Sequence, residues 1–419
     1  MRRLAPVLRP GVGRKLPPEL RAENVWRLAE RLPGGVRDAG FEPLLRRIDQ
    51  SPVHGGNVVS VFHGGEDAFQ LMRSAIEGAA EEILLESYIF KDDKTGWEIL
   101  DLLGRAASRG VAVRVLADAF GSLWTRSGFW REMRSRGCEV RLFHPLFPYF
   151  WRQFLRDHRK ILVVDRRVGF TGGMNIGEEY GSPATRRASR GFRDTHARVE
   201  GPAAWELALV FSESWHAAGG STLRFPPLAV DQTRARTGAR VLVLDSRPLR
   251  GHEESAAVLS AIVGAARRSV SVTNAYFAPR PVTIEVLGAA VRRGVDVRLL
   301  LPGASDVPIV RHAGHGYFDD LLLRGVRIFE YDAAVLHGKT LVADGFVSVV
   351  GSTNLDFRSF RFNAECNLVV LDEATGADME VAFAVDLART EEIRPESWRR
   401  RGLGHRWADA LARRLSPLL

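Results

Sequence analysis

Two cysteines in 419 residues leave no room for a disulfide framework. Cys138 and Cys366 stand far apart in the chain, and a reducing compartment is the expectation. Long apolar runs are missing too, since no stretch approaches the roughly 18–20 residues that a membrane span needs. The opening MRRLAPVLRPGVGRKLPPEL carries basic groups without the apolar segment of a secretory signal. Neither secretion by that route nor anchoring by a span is expected. Acidic residues are in deficit, 50 Asp and Glu against 59 Lys and Arg, for a net charge of +9. A basic surface favours anionic partners: nucleic acid, an anionic membrane face or a phosphorylated substrate. What is present is a globular composition, 45% hydrophobic and 26% charged, and enough chain for two domains.

The chain writes one polar pattern twice. His158, Lys160, Asp165, Gly172 and Asn175 recur as His337, Lys339, Asp344, Gly351 and Asn354, every pair 179 residues apart. The similarity extends upstream. AIEGAAEEILLESYIF at 75–90 matches AIVGAARRSVSVTNAYF at 261–277, a helix running into an apolar strand. AASRGVAVRVLAD at 106–118 matches AAVRRGVDVRLLL at 289–301 in the same way. Strands alternating with helices in both halves predict an α/β fold: two similar α/β/α sandwich domains with mixed, largely parallel sheets, related by a pseudo-twofold axis. The expected boundaries are a basic N-terminal extension at 1–50, a first domain at 51–220, and a Gly/Pro/Thr-rich linker at 221–238. A second domain at 239–392 and a basic amphipathic tail at 393–419 follow.

Residues two apart on a strand share a face, so His158 projects with Lys160 and His337 with Lys339. Asp344-Gly345 reads as a hairpin turn. The glycines at 172–173 and 351 allow a close approach of the backbone, with a ligand as one candidate neighbour. Joined across the pseudo-twofold axis, the two elements make one pocket with two imidazoles and two ammonium groups. A phosphodiester suits it. Each lysine contact with the shared negative charge is worth about 4 kcal/mol at an effective dielectric near 20, before desolvation. Asn175 and Asn354 add neutral donors to the phosphate. One imidazole attacks phosphorus while the opposed one protonates the leaving alkoxide, as in-line displacement requires. Asp165 and Asp344 fit either the catalytic set or a turn. Neither motif has a second histidine or a cysteine at metal-ligand spacing, so no metal and no cofactor is expected. A lone strand histidine is more often structural than catalytic. The matched duplicate favours catalysis, because folding does not require two polar sets at equal spacing.

His-x-Lys-x4-Asp-x6-Gly-(Gly/Ser)-x-Asn, present twice, resembles the signature of the phospholipase D superfamily. Over roughly residues 55–390 the stretches NAYFAP, GASDVPIVRHAG, LHGKTLVAD and GSTNLDFRSFRFNAECNLVV resemble bacterial cardiolipin synthases. The likeness is greatest to the shorter forms that lack N-terminal membrane spans. The resemblance implies a phosphohistidine intermediate without a metal, with His158 as nucleophile and His337 as acid. It implies a downstream carboxylate in each half that orients a catalytic histidine, Glu365 and Asp194 here. It further implies transfer of a phosphatidyl group to phosphatidylglycerol, from phosphatidylglycerol or phosphatidylethanolamine, by a peripheral protein on the cytoplasmic side of the cell membrane. Two alternatives stand beside this. Water as acceptor would make the chain a phospholipase D. A nuclease of the same superfamily would want a broad cationic groove and base-stacking aromatics; the aromatic run and the tail speak for lipid instead, and no nucleic acid is expected.

A lipid enzyme without a span needs another hold on the bilayer. Phe147, Tyr149, Phe150, Trp151 and Phe154 precede His158 and suit either insertion among acyl chains or a buried cluster. Leu403, Trp407, Leu411, Leu415 and Leu418 recur at helical spacing, flanked by Arg406, Arg413 and Arg414. This pattern fits an interfacial helix, drawn to anionic headgroups by about 1 kcal/mol per Arg, or a helix packed on its own domain. Membrane contact is thus expected first at Phe150, Trp151, Trp407 and Leu411. Residues 24–32 repeat the pattern more weakly, and Trp124, Phe129 and Trp130 follow a strand end at a position suited to the pocket mouth.

Overall fold

The computed structural model describes residues 15–144, 155–181, 191–226, 228, 237–247 and 252–416. The first half contributes β1 (Val53–Phe62), β2 (Glu82–Ser87), β3 (Ala112–Asp118), β4 (Glu139–Phe143), β5 (Arg156–Asp157), β6 (Lys160–Val164), β7 (Val168–Gly172), β8 (Phe192–Arg193) and β9 (His196–Glu200). The second contributes β10 (Ala239–Ser246), β11 (Ser269–Asn274), β12 (Asp296–Pro302), β13 (Arg327–Tyr331), β14 (Val335–Leu336), β15 (Lys339–Ala343), β16 (Val347–Gly351), β17 (Asn363–Leu371) and β18 (Thr390–Glu392). One sheet runs through both halves in the order β18-β13-β12-β11-β15-β16-β17-β10-β1-β9-β7-β6-β2-β3-β4.

That order is a palindrome about the central β10–β1 pair. Outward from β1 come β9, β7, β6, β2, β3 and β4; outward from β10 come β17, β16, β15, β11, β12 and β13. The duplicated sequence therefore makes a duplicated topology. Along this order parallel pairing is confined to β2–β3–β4 and β11–β12–β13, where a crossover helix returns the chain to the same sheet edge; off it, β5 pairs parallel with β17 and β14 with β8. The remaining pairs along the order are antiparallel, because short hairpins such as β6–β7 and β15–β16 leave no length for a crossover. Strands covered on both faces read as apolar runs, and β2, β6, β15, β16 and β17 are buried throughout.

Residues 15–50 pack where the sequence order does not suggest. The helices Ala22–Ala29 and Phe41–Asp49 bury Val25, Trp26, Phe41 and Leu45 in one core with Ile262, Val286 and Leu299 of the second half. Gly264 makes the contact possible, since a Cβ there would lie 2.5 Å from the Trp26 carbonyl. The weak interfacial pattern of residues 24–32 is thus a buried core face. Linker residues 227 and 229–236 and the aromatic run, Phe150 and Trp151 included, lie outside the described residues. No helix among the described residues is long and apolar enough to cross a membrane.

Candidate active site

His158 sits between β5 and β6, and His337 between β14 and β15. The short strands before them cross over: β5 pairs with β17 of the second half, and β14 pairs with β8 of the first. Each histidine thus meets the other half's carboxylate. His158 Nδ1 lies 3.0 Å from Glu365 Oε2, and His337 Nδ1 lies 2.6 Å from Asp194 Oδ2. A carboxylate only accepts, so each Nδ1–H donates and each Nε2 is left with its lone pair.

The carboxylates are held in turn. Ser352 Oγ donates to Glu365 at 2.5 Å and Asn363 Nδ2 at 3.1 Å, while the Thr195 N–H donates to Asp194 at 2.6 Å. Burial raises both carboxyl groups, but His158 and Lys160 hold Glu365, and His337 and Lys339 hold Asp194, below the ordinary range. Burial brings His158 down to about 4 against the pull of Glu365, and burial with Lys339 lowers His337. Both imidazoles are therefore neutral at pH 7. Lys160 and Lys339 lie beneath the histidines, their Nζ atoms donating to the His158 and His337 carbonyls. Burial, against nearby carboxylates, lowers Lys160 to about 7 and Lys339 to about 8.

His158, His337, Asn175 and Asn354 line a cavity of about 440 Å³. Asn175 is fixed by the Ile89 N–H at 3.1 Å and by its own bond to the Tyr180 hydroxyl at 2.7 Å. Asn354 Oδ1 is buried with no partner among the described residues. A larger recess of about 750 Å³ opens beside Gly56, Arg166 and Gly201, but no histidine lines it.

Asp165 and Asp344, expected with the catalytic set, are not there. Both sit in left-handed turns, at φ 50° and 54°. Asp165 accepts the N–H groups of Ala80, Glu81 and Glu82, and Asp344 those of Arg267, Arg268 and Ser269. Each carboxylate thus ties a hairpin to the chain entering β2 or β11, with both of its oxygens engaged by backbone N–H groups. The motif glycines make close approaches of a different kind from the expected ligand contact. A Cβ on Gly173 would lie 2.1 Å from Asp194 Oδ1, and one on Gly351 would lie 2.2 Å from Asn367 Oδ1.

Several wall residues went unremarked in the sequence. Arg156, Arg358, Tyr88, Tyr276 and Asp306 line the cavity, and the repeat does not mark the two arginines, since the 179-residue offset sets Val335 against Arg156 and Glu179 against Arg358. Phe129 and Trp130, expected at the mouth, belong to the first-half core, whereas Trp124 is 89% exposed. In the tail, the helix Leu403–Leu415 packs on the second half through one face and leaves the apolar residues of its pattern exposed. Asp409 bonds His312 at 2.8 Å and Arg401 at 3.2 Å, while Leu403, Trp407 and Leu411 face outward, exposed.

A duplicated α/β sandwich that closes two His-x-Lys elements over one cavity has the architecture of the phospholipase D-like proteins. The family described as "Cardiolipin synthase, PLD-like domain" matches residues 72–181 and 259–387, one stretch in each half. The cardiolipin synthase of Halalkalibacterium halodurans is 33% identical over 390 residues, 92% of this chain and 77% of that relative. That of Geobacillus kaustophilus is 35% identical over 398 residues, 93% and 78% of the two chains. Among solved structures, phosphatidylserine synthase of Haemophilus influenzae shares the fold at a TM-score of 0.66 and 13% identity, covering 89% of this chain and 97% of that one. The chain belongs to the cardiolipin synthase family of phospholipase D-like proteins.

Proposed function

We propose that this chain is a phosphatidyltransferase that makes cardiolipin and glycerol from two molecules of phosphatidylglycerol at a membrane surface. The observation that carries the reading is the pair of histidine–carboxylate contacts, each formed between the two halves, over one cavity with two buried lysines. In the first step His158 Nε2 attacks the donor phosphorus. A P–N bond forms, the P–O bond to the headgroup glycerol breaks, and His337, protonated once the phosphate anion is bound, gives its proton to the departing oxygen. In the second step the acceptor hydroxyl returns a proton to His337, its oxygen bonds phosphorus, and the P–N bond breaks. Lys160 and Lys339 supply the positive charge that the phosphate oxygens need in both steps.

A metal is not required by this scheme. Each Nδ1 is committed to a carboxylate, and two ammonium groups beneath the imidazoles disfavour a divalent cation. The test is lipid analysis of purified protein with phosphatidylglycerol vesicles and EDTA, beside His158→Ala. Cardiolipin and glycerol from the wild type alone are expected. Phosphatidic acid in place of cardiolipin would make water the acceptor and overturn the transferase reading.

A further inference from the structure

The two flanks of the cavity differ in charge although the duplication makes them equivalent. Two residues before the histidines, on the same strand face, stand Arg156 and Val335; four residues after the asparagines stand Glu179 and Arg358. Both pairs keep the 179-residue offset of the motif. Because β5 crosses to β17, Arg156 and Arg358 come together on one flank, close enough to repel each other. The opposite flank has a Glu179 neutralised by Lys91 at 2.6 Å and the Tyr276 hydroxyl on Asp306 at 2.7 Å.

The arginine flank is built rather than loose. Arg156 is 7% exposed, its guanidinium lies 3.8 Å over the Phe120 ring, and it bonds the Tyr88 hydroxyl. The Tyr88 ring meets His158 edge-on at 4.9 Å. Two carboxyl groups face the pair. Asp118 already accepts the N–H groups of Phe120, Gly121 and Asp157, and Asp356 accepts that of Ser359. Burial raises Asp118 to about 6 and Asp356 to about 7, so they offset the two guanidinium charges only in part. Like charges held together in a cavity wall favour an anion between them.

The proposed reaction brings such an anion. The transferred phosphate takes the central site between the histidines. The acceptor lipid arrives with a phosphodiester of its own, one glycerol away from the attacking hydroxyl. Water, ethanol and free glycerol carry none. We infer that Arg156 and Arg358 form an anion subsite that holds the acceptor lipid's own phosphate. The inference rests on the phosphatidyltransferase reading and adds to it the basis of acceptor choice: only a phosphorylated acceptor gains the charge-assisted bonds of this flank.

The test uses the full chain on phosphatidylglycerol vesicles containing ethanol, with the ratio of cardiolipin to phosphatidylethanol as readout. Arg156→Gln and Arg358→Gln should each lower that ratio about tenfold or more, with Arg358→Lys between them and the wild type. The Arg358 variants, on the short helix Phe357–Arg361, keep the test open if Arg156→Gln does not fold. A wild-type ratio in well-folded variants overturns the subsite, and so does an equal loss of both products. Wild-type protein that makes neither product overturns the transferase reading itself. Phosphatidylethanol without cardiolipin, at any ethanol concentration, leaves transfer standing and removes the subsite.

Discussion

At the scale of residues, the two imidazoles gain their direction from carboxylates that never touch the cavity. Neither Glu365 nor Asp194 lines it, yet each fixes which ring nitrogen points inward. Glu365→Gln keeps the shape and changes the hydrogen-bond logic, because the amide can present a donor to Nδ1. It should lower kcat by about a hundredfold or more with an unchanged thermal melt; unimpaired kcat would mean that the orientation of His158 comes from elsewhere. The lysines set a pH limit. Lys160 at about 7 and Lys339 at about 8 must be charged to hold phosphate, and a bound phosphate favours their protonated forms. Raising the pH from 7 to 9 therefore withdraws positive charge from the site and weakens binding. The profile of kcat/KM should fall above about pH 7 by about tenfold per unit, and more steeply above about pH 8 where the second lysine also loses its proton, and a level profile to pH 10 would contradict it.

At the scale of elements, the link that carries His158 into β6 buries Arg159. Arg159 bonds Asp245, the Ser214 hydroxyl at 2.6 Å and the Ser246 carbonyl at 2.9 Å, which joins β6 of the first half to β10 of the second. Arg159→Met would remove the nearer of two arginines from Asp245, Arg247 Nε remaining at 3.4 Å, and a loss of about 1.5–3 kcal/mol in denaturant unfolding is expected. Trp26→Ala should cost about 3–5 kcal/mol by emptying the contact over Gly264. A surface-lying helix would lose almost nothing. The first of these elements was half legible in the sequence and the second was not. Strand period placed His158 with Lys160, and the duplicate marked both as functional, because spacing survives in one dimension. The pairing of β5 with β17 joins residues some two hundred positions apart, and no local pattern encodes it. The helix Ala22–Ala29 shows an apolar stripe, but a stripe does not say which surface covers it. Asp165 and Asp344 failed for a related reason: turn chemistry and catalysis ask for the same carboxylate.

At the scale of the whole molecule, exposed apolar side chains include a group after β3 and a stripe on the tail. Phe120, Leu123 and Trp124 follow β3, with Phe120 beneath the Arg156 guanidinium, Val307 lines the cavity, and Trp407 and Leu411 lie on the last helix. Trp407→Ser combined with Leu411→Ser should weaken sedimentation with anionic vesicles about tenfold or more, since burial of one large side chain is worth about 1.5–3 kcal/mol. Turnover of detergent-dispersed substrate should be retained, and equal vesicle binding by the variant would assign membrane contact to other surfaces. The crossed histidine–carboxylate pairs have a consequence during synthesis. A ribosome that has delivered only the first half has made His158 without Glu365, and Asp194 without His337. The unfinished chain holds one member of each pair and completes neither within itself, so the site closes only after the second half has been delivered.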